Sequence, residues 1–259
     1  METYVEEGKL SGISLLILKD GEAVHQKSFG MANIEEERPL EKEAIFRIYS
    51  MSKPITAAAL MMLLEEGKFQ LDDPVAQYIP EFENTMVWED GKEVPQKESF
   101  TIRHLLTHTA GFCYGWGASH VDSLYNQAYQ GGIWATRSLS DMMKVLAGIP
   151  LKYQPGSQWE YSVSIDVAGY LVEVLSGMTF DVFLQTRLFD PLKMEDTGFD
   201  VPEKDFGRLA MIYSEDEESS KLTPLEELTK GVMKPADIFS GGAVSCQQSA
   251  ITPALARCS

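Results

Sequence analysis

The chain has 259 residues, of which 44% are hydrophobic and 24% are charged, a composition that fits one large globular domain or two lobes around a buried core. Its 39 acidic residues outnumber the 22 basic ones and give a net charge of −17, so we expect no nucleic-acid partner and no binding to an anionic membrane surface. The longest aliphatic run near the N-terminus, residues 13–18, is far shorter than the roughly 18 residues of a membrane span.

The N-terminus and the cysteines indicate the compartment. The first seven residues are acidic, whereas a secretory signal begins with basic and then apolar residues, so a start at Met1 predicts a cytoplasmic protein. The three cysteines, Cys113, Cys246 and Cys258, form neither a disulfide ladder nor a C-x-x-C metal motif. An odd number of cysteines fits a reducing compartment, and redox chemistry is not indicated.

The first half of the chain begins with a predicted β-hairpin. Residues 10–19 and 23–29 have the pattern of strands, and the Asp20-Gly21 dipeptide between them readily adopts positive φ angles. From Pro54 the chain becomes a run of apolar helix formers that stops at Gly67. Because this run is apolar on nearly every side, it predicts a buried helix.

The middle of the chain is predicted to be helical. We expect helices over residues 102–108 behind a Thr101 cap, 140–147, 162–176 before Gly177, and 180–189 behind Thr179. Residues 111–134 are rich in Gly, Tyr and Trp, which favours an ordered surface loop that either walls a pocket or packs without any ligand. Residues 214–220 predict a solvated acidic loop.

One short motif indicates nucleophilic catalysis. Ser50-Met51-Ser52-Lys53 is the only S-x-x-K in the chain and lies where an extended run, residues 45–49, meets the buried helix. Residues three apart on a helix share a face, so the Lys53 amine can reach the Ser50 hydroxyl and act as its base. Burial and the helix dipole both disfavour the ammonium form. The alternative is that Ser50 or Ser52 only caps the helix and Lys53 is solvated.

The wider sequence resembles a known family. The run FRIYSMSKPITA at residues 46–57 resembles the first motif of the serine β-lactamase-like superfamily, in particular class C β-lactamases, D-Ala-D-Ala carboxypeptidases and family VIII carboxylesterases. Four further segments agree with that family in the same order. They are residues 67–80 with LDDP, TIRHLLTHTAG at 101–111, PGSQWEYS at 155–162 and PLKMEDTGF at 191–199.

The resemblance implies a catalytic set. Ser50 matches the acylated nucleophile, Lys53 its proton acceptor, and Tyr161 the second acid and base group of the family. A lysine ammonium favours the phenolate of a neighbouring tyrosine, so the two residues would titrate as a coupled pair. Where family lactamases and peptidases carry Tyr-x-Asn, this chain has Val163, which has no amide to bind a peptide-like acyl group. This difference favours small acyl esters or lactones.

Other polar residues support competing sites only weakly. His104 and His108 are four residues apart and could hold a metal on one helical face, but no H-E-x-x-H motif and no third ligand is evident. The chain contains no G-x-S-x-G nucleophile elbow. His25 and His120 are expected at the surface, and Cys113 is expected to be a small core or loop residue.

The C-terminal residues depart from the family pattern. Phe239-Ser240-Gly241-Gly242-Ala243 matches a family segment that continues as Gly-Leu-Val-Ser-Thr, and permitted codons of residues 244–248 can spell those residues after a shift of one base. We therefore predict that residues 244–259 are a frameshift tail, which the nucleotide sequence tests directly. The family's third motif and C-terminal strands are then missing, and the resemblance implies weak activity and exposed sheet edges for the chain as given.

The resulting prediction is an α+β protein of the β-lactamase/transpeptidase-like fold, with an antiparallel sheet flanked by helices and an all-helical lobe. Residues 1–243 would form the partial domain, with 1–49 and 201–243 in the α/β lobe and 50–200 in the mainly helical lobe. The predicted function is a carboxylesterase that works through a Ser50 acyl-enzyme on a small-molecule ester, without metal or organic cofactor. The alternatives are a D-Ala-D-Ala carboxypeptidase or β-lactamase, and a catalytically silent acyl-binding protein. The oligomeric state stays open.

Overall fold

A computed structural model of the chain describes residues 1–131, 138–216, 221–236, 238–242 and 247–248. The chain divides into two units. The first contains Met1–Ile48 and Leu188–Ala236, and the second contains Tyr49–Arg187 and residues 238–242.

The described part of the chain contains both helices and antiparallel strands. In chain order they are α1 (Glu2–Glu6), β1 (Gly12–Lys19), β2 (Glu22–Asn33), β3 (Arg38–Pro39), β4 (Ile45–Phe46), α2 (Ser52–Glu65), β5 (Met86–Glu89), β6 (Lys92–Pro95), α3 (Ile102–Leu106), α4 (His120–Gln130), α5 (Leu139–Ala147), α6 (Ser164–Ser176), α7 (Phe180–Leu184), α8 (Asp190–Leu192), β7 (Tyr213–Glu215), β8 (Leu222–Pro224), α9 (Glu226–Lys230) and β9 (Gln247–Gln248).

The first unit is built on a three-stranded antiparallel sheet in the order β1-β2-β3. Asp20 and Gly21 connect β1 to β2 with φ angles of 52° and 80°, which confirms the predicted hairpin. Further along the chain, β7 and β8 form a second hairpin. One apolar cluster of this unit joins β4 to residues far away in sequence, and its buried members are Ile45, Val201, Leu209 and Val232.

The second unit is mainly helical and is organised around α6. Helices α2, α3, α5 and α7 all contact α6. The predicted apolar helix is α2, and most of its side chains are buried or half-buried. A cluster of edge-to-face aromatic rings lies elsewhere in the core of this unit, with centroid separations of 5.3 to 5.7 Å between Phe82, Phe100 and Phe112. The fold is therefore α+β, as predicted.

The prediction of a continuous loop over residues 111–134 is wrong, because α4 lies inside this segment. Ser119 and Asp122 form a reciprocal capping box at its N-terminus, and Val121 and Tyr125 supply a buried face. Residues 132–137, including Trp134, lie outside the described part of the chain.

Several predicted boundaries also need correction. Helix α3 ends at Leu106 rather than at residue 108, and α6 begins at Ser164 rather than at residue 162. The helix predicted over residues 180–189 is α7 followed by a π turn over Gln185–Phe189. Within the predicted acidic loop, residues 214–215 belong to strand β7, and residues 217–220 lie outside the described part.

Of the predicted frameshift tail, residues 244–259, only Gln247–Gln248 are described, and their backbone pairs with β4. Cys246 and Cys258 lie outside the described residues. Among the described helices, none is by itself long and apolar enough to cross a bilayer. Only the pair Ser164–Ser176 and Phe180–Leu192 passes that test together, and it is bent by 78°.

Candidate active site

The predicted nucleophile lies on a tight turn at the start of α2. Tyr49–Met51 form a single 3₁₀ turn, and Tyr49 has a φ angle of 45°, a left-handed conformation that is rare for a bulky residue. The Ser52 hydroxyl donates a hydrogen bond to the Tyr49 carbonyl oxygen. The residue at the cap position is Met51, which makes no side-chain cap. The alternative in which Ser50 or Ser52 caps this helix is therefore wrong, and Ser50 is left exposed.

Lys53 connects the other two predicted residues. Its Nζ atom donates hydrogen bonds to Ser50 Oγ at 3.2 Å and to the carbonyl oxygen of Gly242 at 3.3 Å. The same nitrogen lies 4.8 Å from the centre of the Tyr161 ring. Lys53 is only 9% exposed, so the alternative of a solvated lysine is also wrong. The structure thus brings Ser50, Lys53 and Tyr161 together.

These three residues line a pocket of about 300 Å³ in the second unit. It is large enough to hold a small organic group. Its described lining residues are Tyr49, Ser50, Lys53, Tyr114, Trp116, Tyr161, Asp166, Ser240 and Gly242.

Aromatic rings form one wall of the pocket. Tyr114 and Trp116 are stacked at 4.8 Å with an angle of 18° between their planes, and Trp116 lies 6.1 Å from Tyr161. Trp116 is nevertheless 76% exposed, so an apolar group could lie against its free surface. Burial raises the pKa of the Tyr114 phenol, which therefore stays neutral.

The His108 ring packs against the Tyr161 ring. His108 lies beyond the end of α3 with a φ angle of 55°, and its Nδ1 accepts a hydrogen bond from the backbone N–H of Ser162 at 3.3 Å. Its ring centre is 4.9 Å from that of Tyr161. Burial, together with the charge of Lys53, lowers the pKa of His108 to about 4. His108 is thus a neutral ring whose Nδ1 is an acceptor.

The suggested metal pair, His104 and His108, does not share a helical face. His104 Nδ1 accepts a hydrogen bond from the Thr101 backbone within the cap of α3, whereas His108 lies outside that helix. In the portion of the chain that the structure describes, no group of three His, Cys, Asp or Glu side chains could hold a metal ion.

An ion-pair network holds the segment before Tyr161. Lys152 Nζ lies 3.0 Å from Glu160 and 3.2 Å from the buried Asp122, and the Glu160 backbone N–H donates to the His108 carbonyl oxygen at 2.9 Å. Val163, in the position of the missing asparagine, is fully buried at the start of α6.

Asp166, Ser240 and Gly242 complete the pocket behind Lys53. Asp166 is fully buried in the first turn of α6, and its Oδ1 accepts hydrogen bonds from the Ser240 hydroxyl and from the Gly242 backbone N–H at 3.1 Å. None of these three residues is among the catalytic residues expected from the sequence. The Gly241-Gly242 dipeptide next to Ser240 is the sequence feature that indicates this contact, because closely packed backbone often requires glycine.

A family model described as Beta-lactamase matches residues 1–241 of the chain. The chain belongs to the Beta-lactamase family. This membership and the folded site agree with the resemblance carried by the S-x-x-K segment. The family membership also shows the predicted fold class.

Three known proteins illustrate what this chain is similar to. Esterase EstB from Burkholderia gladioli is 34% identical over 197 residues, which are 75% of this chain and 48% of the relative. Penicillin-binding protein 4* from Bacillus subtilis is 30% identical over 199 residues, covering 76% of this chain and 39% of the relative. The solved structure of EstCE1, described as a hydrolase with promiscuous acyltransferase activity, is 26% identical with a TM-score of 0.80 and covers 95% of this chain and 66% of that one.

The chain spans about half the length of the first curated relatives it matches, 48% and 53%.

Three other residues, His25, His120 and Cys113, lie where the sequence predicts them. His25 and His120 are exposed, and Cys113 is buried as a free thiol whose pKa burial raises to about 12.

Proposed function

We propose that Ser50 is the acylated nucleophile of a serine hydrolase, a carboxylesterase that acts on small acyl esters or lactones. The observation that carries this proposal is the 3.2 Å distance between Nζ of the nearly buried Lys53 and Oγ of the exposed Ser50 at the pocket, across which the hydroxyl proton can pass to a neutral amine. A serine hydroxyl is a weak nucleophile until a neighbouring base removes its proton.

The reaction follows from these positions. Ser50 Oγ attacks the carbonyl carbon of the ester, and its proton passes to Lys53. When the tetrahedral intermediate collapses, the alcohol leaves with a proton that Tyr161 delivers and Lys53 replaces. Water then attacks the acyl-enzyme with the same groups acting in reverse, which releases the acid and restores the Ser50 hydroxyl.

The preference for esters rests on Val163. Because Val163 is fully buried and has no polar side-chain atom, it offers no hydrogen bond to the amide of a peptide or β-lactam. The identity to esterase EstB supports the same assignment. A peptidase or β-lactamase activity is the second candidate, which the 30% identity to penicillin-binding protein 4* supports.

Labelling with a fluorophosphonate probe tests the nucleophile. We expect the chain to be labelled at Ser50, and we expect Ser50→Ala and Lys53→Ala to lose labelling. Ser157→Ala and Lys144→Ala change an exposed serine and an exposed lysine outside the pocket and should label as the parent does. Labelling that survives Ser50→Ala would contradict the proposal, and no labelling at all would favour a silent acyl-binding protein.

A comparison of two chromogenic substrates tests the specificity. We expect p-nitrophenyl butyrate to be hydrolysed with a higher kcat/KM than nitrocefin. The opposite order would favour the β-lactamase or peptidase candidate over the esterase.

A further inference from the structure

The carboxyl group of Asp166 has an unusual environment. Its residue is fully buried, Oδ1 accepts two hydrogen bonds, and the equally buried Oδ2 makes none among the described residues. A buried polar atom without a partner costs free energy, and a buried charge without one costs far more. Such an arrangement needs a reason, and the residues around it supply one.

Asp166 is one of three side chains that hold the short segment 240–242. Oδ1 of Asp166 binds the Ser240 hydroxyl and the Gly242 N–H. The Thr56 hydroxyl of α2 donates to the Gly241 carbonyl oxygen at 2.5 Å, and Lys53 donates to that of Gly242. Side chains of two helices, α2 and α6, thus fix this backbone.

The segment also fits tightly against α6. A Cβ atom on Gly241 would lie 2.3 Å from the Ile165 carbonyl oxygen and 3.2 Å from the Cα of Gly169. A Cβ atom on Gly242 would lie 3.0 Å from Asp166 Oδ2. Only glycine permits this approach, so the position of the Gly242 carbonyl oxygen is closely defined.

We propose that Asp166 is a positioning residue: its side chain fixes Gly242, whose carbonyl oxygen holds the Lys53 amine beside Ser50. The proposal rests on the proposed function, because it treats Lys53 as the base. The hydrogen bonds described for the Asp166 carboxyl group go to Ser240 and Gly242 and not to Ser50, so Asp166 acts through Gly242.

The surroundings of Asp166 favour its neutral form over the carboxylate. Burial raises the pKa of Asp166, opposed by its hydrogen bonds to Ser240 and Gly242 and by the charge of Lys53. Among the described residues, the other titratable groups that interact with it are the phenols of Tyr114 and Tyr129, whose pKa values burial also raises. A carboxylate here would stabilise the ammonium form of Lys53, which cannot accept a proton, whereas a neutral carboxyl group does not.

Two substitutions distinguish the oxygen acceptor of Asp166 from its possible negative charge. Asp166→Asn is neutral and keeps an oxygen acceptor in place of Oδ1, whereas Asp166→Ala removes it. The rate of ester hydrolysis is divided by the number of sites that a fluorophosphonate labels, so that only folded active sites count. We then expect kcat of Asp166→Ala to fall by about 10²-fold, because small displacements of catalytic groups have effects of this size. Its KM should stay within about threefold, and Asp166→Asn should keep kcat within about fivefold.

The controls remove the remaining ambiguities. Asp181, on α7 and outside the pocket, also has a buried carboxyl oxygen for which no hydrogen bond is described. Asp181→Asn and Asp181→Ala should therefore leave kcat unchanged. Ser240→Ala removes one donor to Asp166 without altering the carboxyl group, and should lower kcat in the same direction by a smaller factor. This variant keeps the test decisive if Asp166→Ala does not fold.

The outcomes distinguish the proposals. Equal kcat losses in Asp166→Asn and Asp166→Ala would show that an oxygen acceptor at this position is not sufficient and would overturn the proposal, as would full activity of Asp166→Ala or Ser240→Ala. Crystal structures give a readout without catalysis: the Lys53 Nζ to Gly242 oxygen distance should be kept in Asp166→Asn and should lengthen in Ser240→Ala. If the parent protein fails to label at Ser50, the proposed function is wrong, and this distance still decides the positioning role.

Discussion

The side-chain nitrogen of Lys53 lies 3.2 Å from the hydroxyl oxygen of Ser50, although the two residues belong to different helical segments. Ser50 is on the 3₁₀ turn and Lys53 is in the first turn of α2. The tight turn therefore keeps the serine accessible while the lysine stays within the protein. An amine held in this way loses little solvation when a ligand enters the pocket, because it has already been removed from water.

Lys53→Met keeps much of the side-chain volume and removes the amine. We expect kcat/KM for p-nitrophenyl butyrate to fall by about 10²–10⁴-fold, the usual contribution of a general base. The free energy of unfolding should change little, because a buried polar amine is replaced by an apolar group. Thermal denaturation measures the second quantity. Lys144→Met, on the exposed side of α5, is the matched control, and a parent-like rate in Lys53→Met would exclude Lys53 as the base.

His108 makes the stability depend on pH. Its pKa is lowered to about 4 in the folded protein, whereas an unfolded histidine titrates near about 6.5. Between these values the unfolded chain binds a proton that the folded one does not, so the free energy of unfolding falls as the pH falls from about 6.5 to 4. For a half-buried ring we expect a loss of about 1–2 kcal/mol.

His108→Asn should flatten this part of the stability curve. The Asn oxygen can accept the Ser162 N–H bond, asparagine tolerates the left-handed backbone, and the side chain does not titrate. Urea denaturation at pH 4, 5, 6 and 7 gives the comparison. His25→Asn, on the exposed part of β2, should keep the parent's slope. Identical curves for the parent and His108→Asn would contradict the assigned pKa.

Gly241→Ala tests the tight approach of residues 240–242 to α6. The new methyl group would lie 2.3 Å from a carbonyl oxygen, so the segment must move and release Lys53 from the Gly242 carbonyl. We expect at least about a tenfold loss of kcat. Gly207→Ala adds a methyl group in open space and should leave kcat unchanged. An active Gly241→Ala enzyme would show that the segment does not position the lysine.

Trp116→Ala should affect substrate binding more than chemistry. The indole is stacked on Tyr114 and faces the pocket, so its loss should raise KM for p-nitrophenyl butyrate about twofold to tenfold, with kcat within about twofold. Because the residue is largely exposed, thermal stability should change little. Trp159→Ala, also exposed but not lining the pocket, should keep the parent's KM. Equal effects of both variants would contradict a role specific to Trp116.

Local sequence signals predicted the parts of the structure that depend on neighbours in the chain. The Asp20-Gly21 turn, the apolar helix α2 and the Thr101 cap each follow from a few adjacent residues. Helix α4 was missed because its aromatic residues and the surrounding glycines resemble a loop, although Ser119 and Asp122 form a standard capping box. At this point the capping signal was more informative than composition.

The missed site residues depend on long-range contacts. Asp166 and Ser240 are 74 residues apart, and Lys53 and Gly242 are 189 apart, so no spacing rule connects them. The metal hypothesis for His104 and His108 requires a helix that extends to residue 108, whereas α3 ends at Leu106. The contact between His108 and Ser162 depends on the left-handed conformation of His108 beyond the end of α3, which no local sequence pattern indicates.

The stacked Trp116 gives the pocket its own optical reporter. Its indole is largely hydrated yet lies against Tyr114 at the entrance to the Ser50 pocket. An acyl group that covers this ring would displace water from it and shift its fluorescence emission to shorter wavelength. Acylation and deacylation could then be followed in a stopped-flow instrument with unlabelled protein and with esters that release no dye.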